Sequence, residues 1–262
     1  MTAQPEGHVR VEDVCIRFDG KQGPVTALAP TSVELRPGTF TALIGPSGCG
    51  KSTLMNAIGG FVKPASGRIT LDGAPIDGPS DKVGVIFQQY GLFPWFTALG
   101  NVRFGLKRLG LPKREEIDRA RAALDEVGLG AHAGKYPQQL SGGMKQRVAI
   151  ARTFAFGPKV LLMDEPFGAL DAQTRLVMHE LLLGVWQKHR ATVLFVTHDV
   201  DEALLLADDV WVMSQAPGRL IRHCELKQER PRSFSRSGSD LLEIRDEIIG
   251  LLHPRSMLAE PA

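Results

Sequence analysis

The sequence predicts an α/β fold with a largely parallel sheet, an N-terminal antiparallel β subdomain and an inserted helical subdomain. Short apolar runs, several of them β-branched, alternate with helical patterns along most of the chain, as in parallel sheets covered by helices. Before them, short alternating segments broken by glycine and proline are typical of antiparallel strands. Over about residues 90–156 the periodicity becomes helical, which indicates an insertion into the α/β core.

The predicted strands follow the same order along the chain. Residues 9–18 and 31–35 alternate between apolar and polar side chains and are assigned to the antiparallel sheet. The core sheet is assigned the apolar runs at 40–44, 83–87, 160–163, 192–196 and 209–213.

The helical insertion contains two sets of apolar residues at helical spacing, with charged residues on the other faces. These are Leu99, Val102, Leu106 and Leu109, followed by Ile117, Ala120, Leu124 and Val127. From Gln215 onward the chain is polar and rich in arginine and serine around 230–239, with one short amphipathic helix over 240–252. We therefore expect one main domain over 9–240, followed over 241–262 by a helix and tail too short for a regulatory domain.

Composition excludes several classes of protein. The 31 basic and 29 acidic residues leave a net charge of +2, which gives no support to binding nucleic acid or anionic lipid. Three separated cysteines, Cys15, Cys49 and Cys224, lack zinc-site spacing and favour a reducing compartment. No apolar run approaches the about 20 residues that span a bilayer, and residues 1–8 lack a signal-peptide core. We expect a cytoplasmic protein that reaches a membrane only through a partner.

A phosphate-binding loop directly follows the apolar run at 40–44. Its glycines allow positive φ and close backbone approach, so that successive amides can surround a β-phosphate at the N-terminus of the next helix. Lys51 supplies a charge for the phosphate oxygens, and Ser52 offers a hydroxyl to Mg²⁺. The complete pattern predicts a nucleoside-triphosphate site rather than a turn that merely caps a helix. The loop consists of Gly45, Pro46, Ser47, Gly48, Cys49, Gly50, Lys51, Ser52 and Thr53.

Cys49 is expected to serve as a small space-filling residue in this loop. Because a helix N-terminus lowers the pKa of a thiol, we also expect alkylation of Cys49 to block nucleotide binding and ATP to protect it. Normal ATPase activity after complete labelling of Cys49 would contradict this expectation.

Two carboxylates, Asp164 and Glu165, follow the apolar run at 160–163. Ligands of open α/β sheets bind at the carboxyl ends of strands, so we expect Asp164 to hold Mg²⁺ through water and Glu165 to polarise the attacking water. His198 follows the next predicted strand, where it can contact the γ-phosphate and hold the water in line with Glu165. The alternative for Asp164 and Glu165 is a solvated acidic turn, and the alternative for His198 is an ordinary polar loop residue. Both alternatives are less favoured because the phosphate-binding loop precedes these residues in the same chain.

Residues 140–146 read Leu-Ser-Gly-Gly-Met-Lys-Gln and open a helix predicted over 145–156. Ser141 and the glycine amides therefore lie at a helix N-terminus suited to an anion, unless Ser141 is an N-cap and nothing more. In their order along the chain, the motifs resemble those of ABC transporter ATP-binding subunits, which have a P-loop NTPase core, over about residues 9–213. The resemblance rests on residues 45–53, Gln88, Ser141 to Gln146, Asp164, Glu165, Asp171 and His198.

The resemblance implies a homodimer that sandwiches two ATP molecules with Mg²⁺. Each site would combine Lys51, Ser52, Gln88, Asp164, Glu165 and His198 of one chain with Ser141, Gly142 and Gly143 of the other. Phe18 would stack on adenine, where tyrosine is the commoner residue, and Asp171 would belong to the nucleotide site. Gln88 would act in metal binding and catalysis and would report the γ-phosphate to the membrane partner. Met144 stands where the family signature usually carries glutamine.

Residues 91–95, 141–144 and 166–172 are similar to the ATPases of the nitrate, sulfonate and taurine uptake group. This implies an importer subunit at the cytoplasmic face of the inner membrane, with permease subunits as partners and, indirectly, a solute-binding protein. The solute would be a small anion such as taurine, an alkanesulfonate or nitrate. The apolar loop 91–96 is then either core or part of the groove for the permease's coupling helix.

Three alternative functions remain open from the sequence. An exporter or lipid transporter would share the mechanism and differ in its permease. A soluble ABC-type ATPase acting on ribosomes or DNA usually has two cassettes or a long coiled coil, which this chain lacks. A P-loop kinase has no use for the signature at Ser141 to Gly143.

Overall fold

Two sheets form the fold, and the computed structural model describes them within residues 6–20, 23–234 and 238–252. The strands are β1 (Val9–Gly20), β2 (Gly23–Leu35), β3 (Phe40–Ile44), β4 (Ser66–Leu71), β5 (Ala74–Pro75), β6 (Val83–Ile86), β7 (Val160–Asp164), β8 (Thr192–Thr197), β9 (Asp209–Met213) and β10 (Leu220–Glu225). The helices are α1 (Lys51–Ile58), α2 (Ala98–Leu106), α3 (Lys113–Glu126), α4 (Gly142–Ala155), α5 (Ala172–His189), α6 (Val200–Leu206) and α7 (Gly238–Leu252).

The larger sheet has the strand order β10-β9-β3-β8-β7-β6 and is parallel except for β10. The smaller sheet has the order β2-β1-β4-β5 and is antiparallel. Because the core strands are parallel, their carboxyl ends meet at one edge of the sheet, where β3 leads into the phosphate loop and β7 and β8 end nearby.

The larger sheet is covered on both faces, which explains why its strands read as continuous apolar runs. On β3, Phe40, Ala42 and Ile44 belong to the core formed with the helices α2 to α6. Leu43, between them, belongs to the second core, which the smaller sheet and α1 build against the other face. Successive side chains of β3 therefore point alternately into the two cores, which lie on opposite faces of the larger sheet.

The predicted fold class is confirmed, with differences at element boundaries. The antiparallel strand predicted at 31–35 begins at Gly23, and the helix predicted from residue 145 begins at Gly142. Strand β10 was not predicted, because its polar side chains hide the pattern of an edge strand. The helices α2 to α4 lie within the predicted insertion at 90–156. The division at residue 240 stays a prediction, and the proposed tail from 253 onward lies outside the described residues.

Arg232 anchors the segment that follows β10. Its guanidinium is buried and donates hydrogen bonds to the carbonyl oxygens of Leu204 at 3.1 Å, Leu226 at 3.3 Å and Gln228 at 2.8 Å, and also to that of Ala207. Burial lowers the pKa of Arg232 to about 10. The arginine-rich composition that the sequence shows here therefore serves packing at this position.

We expect Arg232→Met to lower the free energy of unfolding by about 3 kcal/mol, because it leaves buried carbonyl groups without a donor. Urea unfolding measures this change. The matched control is Arg222→Met, which removes an exposed ion pair with Glu247 and should cost less than about 1 kcal/mol. Equal losses in the two variants would contradict the anchoring role.

Candidate functional site

The phosphate loop connects β3 to α1 and uses its glycines in two ways. Gly48 and Gly50 have φ values of 74° and 103°, which L side chains rarely adopt. The expectation of positive φ is wrong for Gly45, whose φ lies outside that region. A Cβ at Gly45 would instead lie 2.9 Å from Sγ of Cys49 and 3.0 Å from the carbonyl oxygen of Met213. Gly45 is therefore required by close packing, and the other two by backbone conformation.

Lys51 places a buried cation at the start of α1. Its Nζ donates hydrogen bonds to the carbonyl oxygens of Gly45 at 2.8 Å and Pro46 at 2.9 Å. Among the described residues, no carboxylate lies within ion-pair distance of this ammonium group. An unneutralised buried charge is costly unless an anion binds beside it, so the loop is suited to phosphate.

Ser52 and Asp164 meet although 112 residues separate them in sequence. The Ser52 hydroxyl donates to Oδ1 of Asp164 at 2.9 Å. Burial raises the pKa of Asp164, while this hydrogen bond favours its carboxylate. A hydroxyl and one carboxylate are an oxygen donor set that Mg²⁺ uses together with substrate phosphates, so these residues fit the ion. The described residues contain no cluster of three or more acidic, histidine or cysteine side chains that would hold a metal alone.

Glu165 and His198 form a second pair at the same edge. Nδ1 of His198 lies 3.1 Å from Oε2 of Glu165, and the histidine side chain is 60% exposed. Glu165 has a φ of 42°, a strained value for this residue type, and its backbone N–H donates to Val196 of β8. Backbone strain of this kind concentrates at functional sites. Gln88 lies nearby, since a Cβ added at Gly168 would lie 3.6 Å from Nε2 of Gln88 and 3.6 Å from Oε2 of Glu165.

The signature residues lie in the helical insertion. Ser141 is the N-cap of α4, with its Oγ accepting from the backbone N–H of Met144 at 3.3 Å. Because this contact uses only the backbone of Met144, the exchange of glutamine for methionine leaves the cap intact. Ser141 and Gly143 share a groove with Thr174 rather than with the phosphate loop of the described chain. The structure therefore does not bring the signature into the phosphate site of its own chain.

Phe18 and Asp171 are found in different surroundings. The Phe18 side chain lies near the end of β1 and is 46% exposed, so its ring face is accessible. Asp171 is the N-cap of α5, since its carboxylate accepts from the backbone N–H and the hydroxyl of Thr174 at 3.0 and 2.7 Å. These hydrogen bonds from Thr174 lower the pKa of Asp171. Both of its carboxylate oxygens are engaged in the cap.

The expected activation of the Cys49 thiol is wrong. Cys49 is only 1% exposed, and burial raises its pKa, which outweighs the opposing charge of Lys51. The sequence indicated a helix N-terminus correctly, but the packing of the loop against Gly218 and Met213 removes the thiol from solvent.

We therefore expect a maleimide to label Cys49 in the native protein at least about tenfold more slowly than in the urea-unfolded protein. Cys15 and Cys224 are also buried and should behave in the same way. Mass spectrometry of quenched samples assigns the label to each cysteine, and the unfolded protein is the internal control. Rapid native labelling of Cys49 would restore the original expectation.

The apolar loop at 91–96 is held open to solvent. Trp95 is 66% exposed, which excludes a core role for this side chain. The fully buried side chain of Asn101 supports the loop, accepting from the N–H of Phe93 at 2.8 Å and donating to the carbonyl of Phe96 at 3.1 Å. Beside it lies a groove of about 400 Å³. Its lining includes Phe61, Phe87, Phe93, Phe104, Arg152 and Phe156.

Three supporting residues were missed by the sequence reasoning. Asn101 is a polar residue within the apolar face of α2, and that irregularity was the available signal. Arg152 donates to the carbonyl oxygens of Tyr90 and Gly91, and Gly218 packs beneath Cys49. The partners of Arg152 and Gly218 are distant in sequence, so no local pattern indicated these two residues. Across the described residues, no helix combines the length and apolar character needed to cross a bilayer.

Comparisons with known proteins agree with this geometry. Residues 28–168 match the family model described as "ABC transporter". The nitrate import ATP-binding protein NrtD of Synechocystis is 45% identical, over 95% of this chain and 96% of the relative. The taurine import ATP-binding protein TauB of Rhizobium johnstonii is 43% identical, over 97% of this chain and 100% of the relative.

A solved structure extends the comparison to three dimensions. The dimeric ATP-binding cassette MJ0796, solved in a post-hydrolysis state with ADP and Pi, is 32% identical with a TM-score of 0.74. The match covers 84% of this chain and 100% of that cassette. The family model, the near full-length relatives and the matching cassette lead to one conclusion. The chain belongs to the ABC transporter family, as an ATP-binding and ATP-hydrolysing subunit.

Proposed function

We propose that the chain is the ATPase subunit of an importer for a small anionic solute, either a sulfonate, such as taurine or an alkanesulfonate, or nitrate. The relatives named as nitrate and taurine import proteins support this solute class. The observation that carries the ATPase mechanism is the meeting of Lys51, the Ser52–Asp164 pair and the Glu165–His198 pair at one sheet edge. The subunit would act at the cytoplasmic face of the membrane.

Glu165 acts as the general base in this proposal. One of its oxygens contacts Nδ1 of His198, which leaves the other free to accept the proton of the attacking water. The exposed ring of His198 holds Glu165 and contacts the γ-phosphate. Lys51 exchanges its loop carbonyl partners for β- and γ-phosphate oxygens, and the glycine amides surround the β-phosphate.

Ser52, Asp164 and Gln88 are the residues that would hold Mg²⁺. When bound, the ion neutralises charge that develops on the phosphate oxygens. Phe18 supplies an exposed ring face on which adenine can stack, and this contact needs no tyrosine hydroxyl.

Asp164→Asn tests the metal role through stability. Because burial raises the pKa of Asp164, its ionised form costs folding free energy at neutral pH, and this cost falls as the pH drops. We expect the nucleotide-free variant to gain about 1 kcal/mol in unfolding free energy. It should lose the stabilisation of about 2.7 kcal/mol that Mg²⁺ and ATP give at 100 times Kd.

Urea unfolding with and without Mg²⁺ and ATP measures both changes. Asp118→Asn on the exposed surface of α3 is the control and should keep the full response to nucleotide. An Asp164→Asn protein that Mg²⁺ and ATP stabilise as strongly as the unchanged protein would exclude Asp164 from the metal site.

Dimerisation completes the proposed ATP sites. Ser141, Gly142 and Gly143 lie away from the phosphate loop of their own chain, at the N-terminus of α4, where free amides suit an anion. A head-to-tail second copy would bring this N-terminus to the γ-phosphate. The dimeric state of the MJ0796 cassette supports this arrangement.

The permease subunits would dock at the groove beside the loop 91–96. Its apolar lining and the exposed Trp95 are the features of an interface that receives an amphipathic helix. Gln88 follows β6 and leads toward this loop, so the nucleotide site and the groove lie on one continuous segment. A solute-binding protein would take part indirectly, through the permease.

The importer assignment is tested by purifying tagged Glu165→Gln protein from solubilised membranes with ATP and Mg²⁺. Co-purification of a multi-spanning permease and a solute-binding protein is expected, and that binding protein can be titrated with taurine, alkanesulfonates and nitrate. Trp95→Ser should lose the permease but keep ATP binding, whereas the exposed Ile221→Ser should keep both.

The alternative functions predict different partners in the same experiment. A permease without a solute-binding protein would favour an exporter or lipid transporter. Ribosomes or DNA in place of a membrane protein would overturn the transport reading.

A further inference from the structure

A cluster of polar side chains lies behind His198 and has no part in the chemistry proposed above. We call it the Arg175 cluster. It joins two helices to the loop that carries His198. Its members are Arg175 and His179 on α5, Thr197 and Asp199 on either side of His198, and Glu202 on α6.

Glu202 fixes the backbone on both sides of His198. Its side chain is 6% exposed, and its Oε2 accepts from the Thr197 hydroxyl at 2.7 Å. The same hydroxyl accepts from the backbone N–H of Asp199 at 3.1 Å. Oδ1 of Asp199 in turn accepts from the backbone N–H of Glu202 at 3.1 Å and caps α6. This closed ring of hydrogen bonds defines the path of the chain through His198.

Arg175 connects this ring to the loop between Glu165 and α5. Its Nη1 donates to Oδ2 of Asp199 at 3.2 Å, and its Nη2 donates to the carbonyl oxygen of Leu170 at 3.2 Å. Its Nε lies 3.6 Å from Oε1 of Glu202. The His179 ring lies 3.4 Å from the same carboxylate and packs on Phe167 at 5.1 Å between centroids. One planar guanidinium thus holds two loops that flank Glu165.

Packing alone does not account for this cluster. Nε of Arg175 and Nδ1 of His179 are buried without a hydrogen-bond partner within the described residues. Such partly satisfied buried polar groups stabilise a fold less than apolar groups of similar volume would. Among the described residues, the exposed side chain of His198 has Glu165 as its polar side-chain contact. The orientation of the His198 ring therefore depends on the backbone conformation that the cluster fixes.

We propose that Arg175 and Glu202 are positioning residues for ATP hydrolysis, holding His198 against Glu165 and coupling that contact to the loop 166–171. The proposal rests on the function proposed above, because it takes the roles of Glu165 and His198 from there. Arg175 and Glu202 themselves touch no reacting atom. Their effect must therefore pass through His198, and this requirement separates positioning from general stability.

The test is a double-mutant cycle on ATP turnover in the full-length protein. We expect Glu202→Gln and Arg175→Met each to lower kcat on the order of 10-fold, with KM for ATP changed less than about twofold. In a His198→Ala background, the same substitutions should lower kcat less than about twofold. Single-turnover assays with protein in excess keep the slower background measurable.

Two further variants distinguish a loss of positioning from a loss of folding. Arg175→Lys keeps the charge but can serve only part of the fork, so its kcat should lie between the unchanged protein and Arg175→Met. Glu180→Gln is the matched control on the exposed face of α5 and should leave kcat and KM unchanged. Urea unfolding of every variant identifies those that are folded. If Glu202→Gln does not fold, Arg175→Lys takes its place in the double-mutant cycle.

Losses that multiply fully in the His198→Ala background would overturn the proposal, because the cluster would then act independently of His198. Unchanged kcat in folded Glu202→Gln and Arg175→Met would overturn it as well. If His198→Ala itself hydrolysed ATP at the rate of the unchanged protein, the proposed role of His198 would fail first and the positioning role with it. Normal activity of Glu165→Gln would be a failure of the proposed function alone.

Discussion

Glu165→Gln is expected to lower ATP turnover by about 10² to 10⁴-fold while leaving ATP affinity nearly unchanged. The amide has almost the shape of the carboxylate and can keep its place beside Nδ1 of His198, which lies 3.1 Å from Oε2 of Glu165. It cannot take the proton of the attacking water at neutral pH. The substitution therefore removes the chemistry and keeps the pocket.

Steady-state hydrolysis and ATP titration separate the two quantities. Glu180→Gln, the same substitution on the exposed face of α5, is the control for the change of charge. Hydrolysis by Glu165→Gln at the rate of the unchanged protein would remove Glu165 from the role of base. A parallel loss of ATP affinity would indicate instead that Glu165 supports the binding site.

A second large effect is expected at Gly218, which lies in the turn between β9 and β10 and far from the motifs in sequence. A Cβ there would lie 1.9 Å from the carbonyl oxygen of Cys49 and 2.6 Å from Cε of Met213. The turn cannot simply retreat, because the Gly218 carbonyl accepts from the N–H of Ala29 at 3.0 Å and its N–H donates to Ala27. An added methyl must therefore displace the phosphate loop.

Gly218→Ala should raise the Kd for ATP on the order of 10²-fold, about 2.7 kcal/mol, because the loop amides no longer surround the β-phosphate. Isothermal titration measures this Kd, and urea unfolding shows whether the variant is folded. Gly78→Ala is the matched loop control, since no atom lies within 4 Å of its Cβ position and its φ is ordinary. Unchanged ATP binding in a folded Gly218→Ala protein would show that the loop tolerates the shift.

The effects expected at Glu165 and at Gly218 differ in whether the sequence alone could predict them. Glu165 follows an apolar strand, and that pattern alone placed a carboxylate at the sheet edge. Gly218 contacts Cys49 across 169 residues of sequence, and its own neighbours Pro217 and Arg219 indicate only a turn. A contiguous motif thus predicts which ligand a loop binds. The residues that pack beneath the loop can be identified only from the folded structure.

The Arg175 cluster shows the same difference within one site. The capping residues Asp171 and Asp199 each precede a helix, so their local roles can be read from neighbouring residues. The meeting of Arg175 with Asp199 and Glu202 requires the packing of α5 against the end of β8 and the start of α6. No spacing in the sequence specifies that packing.

The sequence by itself determined the fold class and the residues of the proposed site. Lys51, Ser52, Asp164, Glu165 and His198 stand next to apolar runs, and parallel strands bring such positions to a common edge. That inference needs only local patterns and the geometry of a parallel sheet. The family resemblance rests on the same short segments, each of which is contiguous in the chain.

Only the tertiary structure decided burial and exposure. It buried Cys49 and raised its pKa, although the local position at a helix N-terminus indicated the reverse. It left Trp95 exposed beside a groove, although the sequence allowed a core position equally well. Both outcomes depend on surfaces contributed by distant segments, such as the turn at Gly218 and the side chain of Arg152. Solvent access is a property of the whole packed chain, so local sequence cannot specify it.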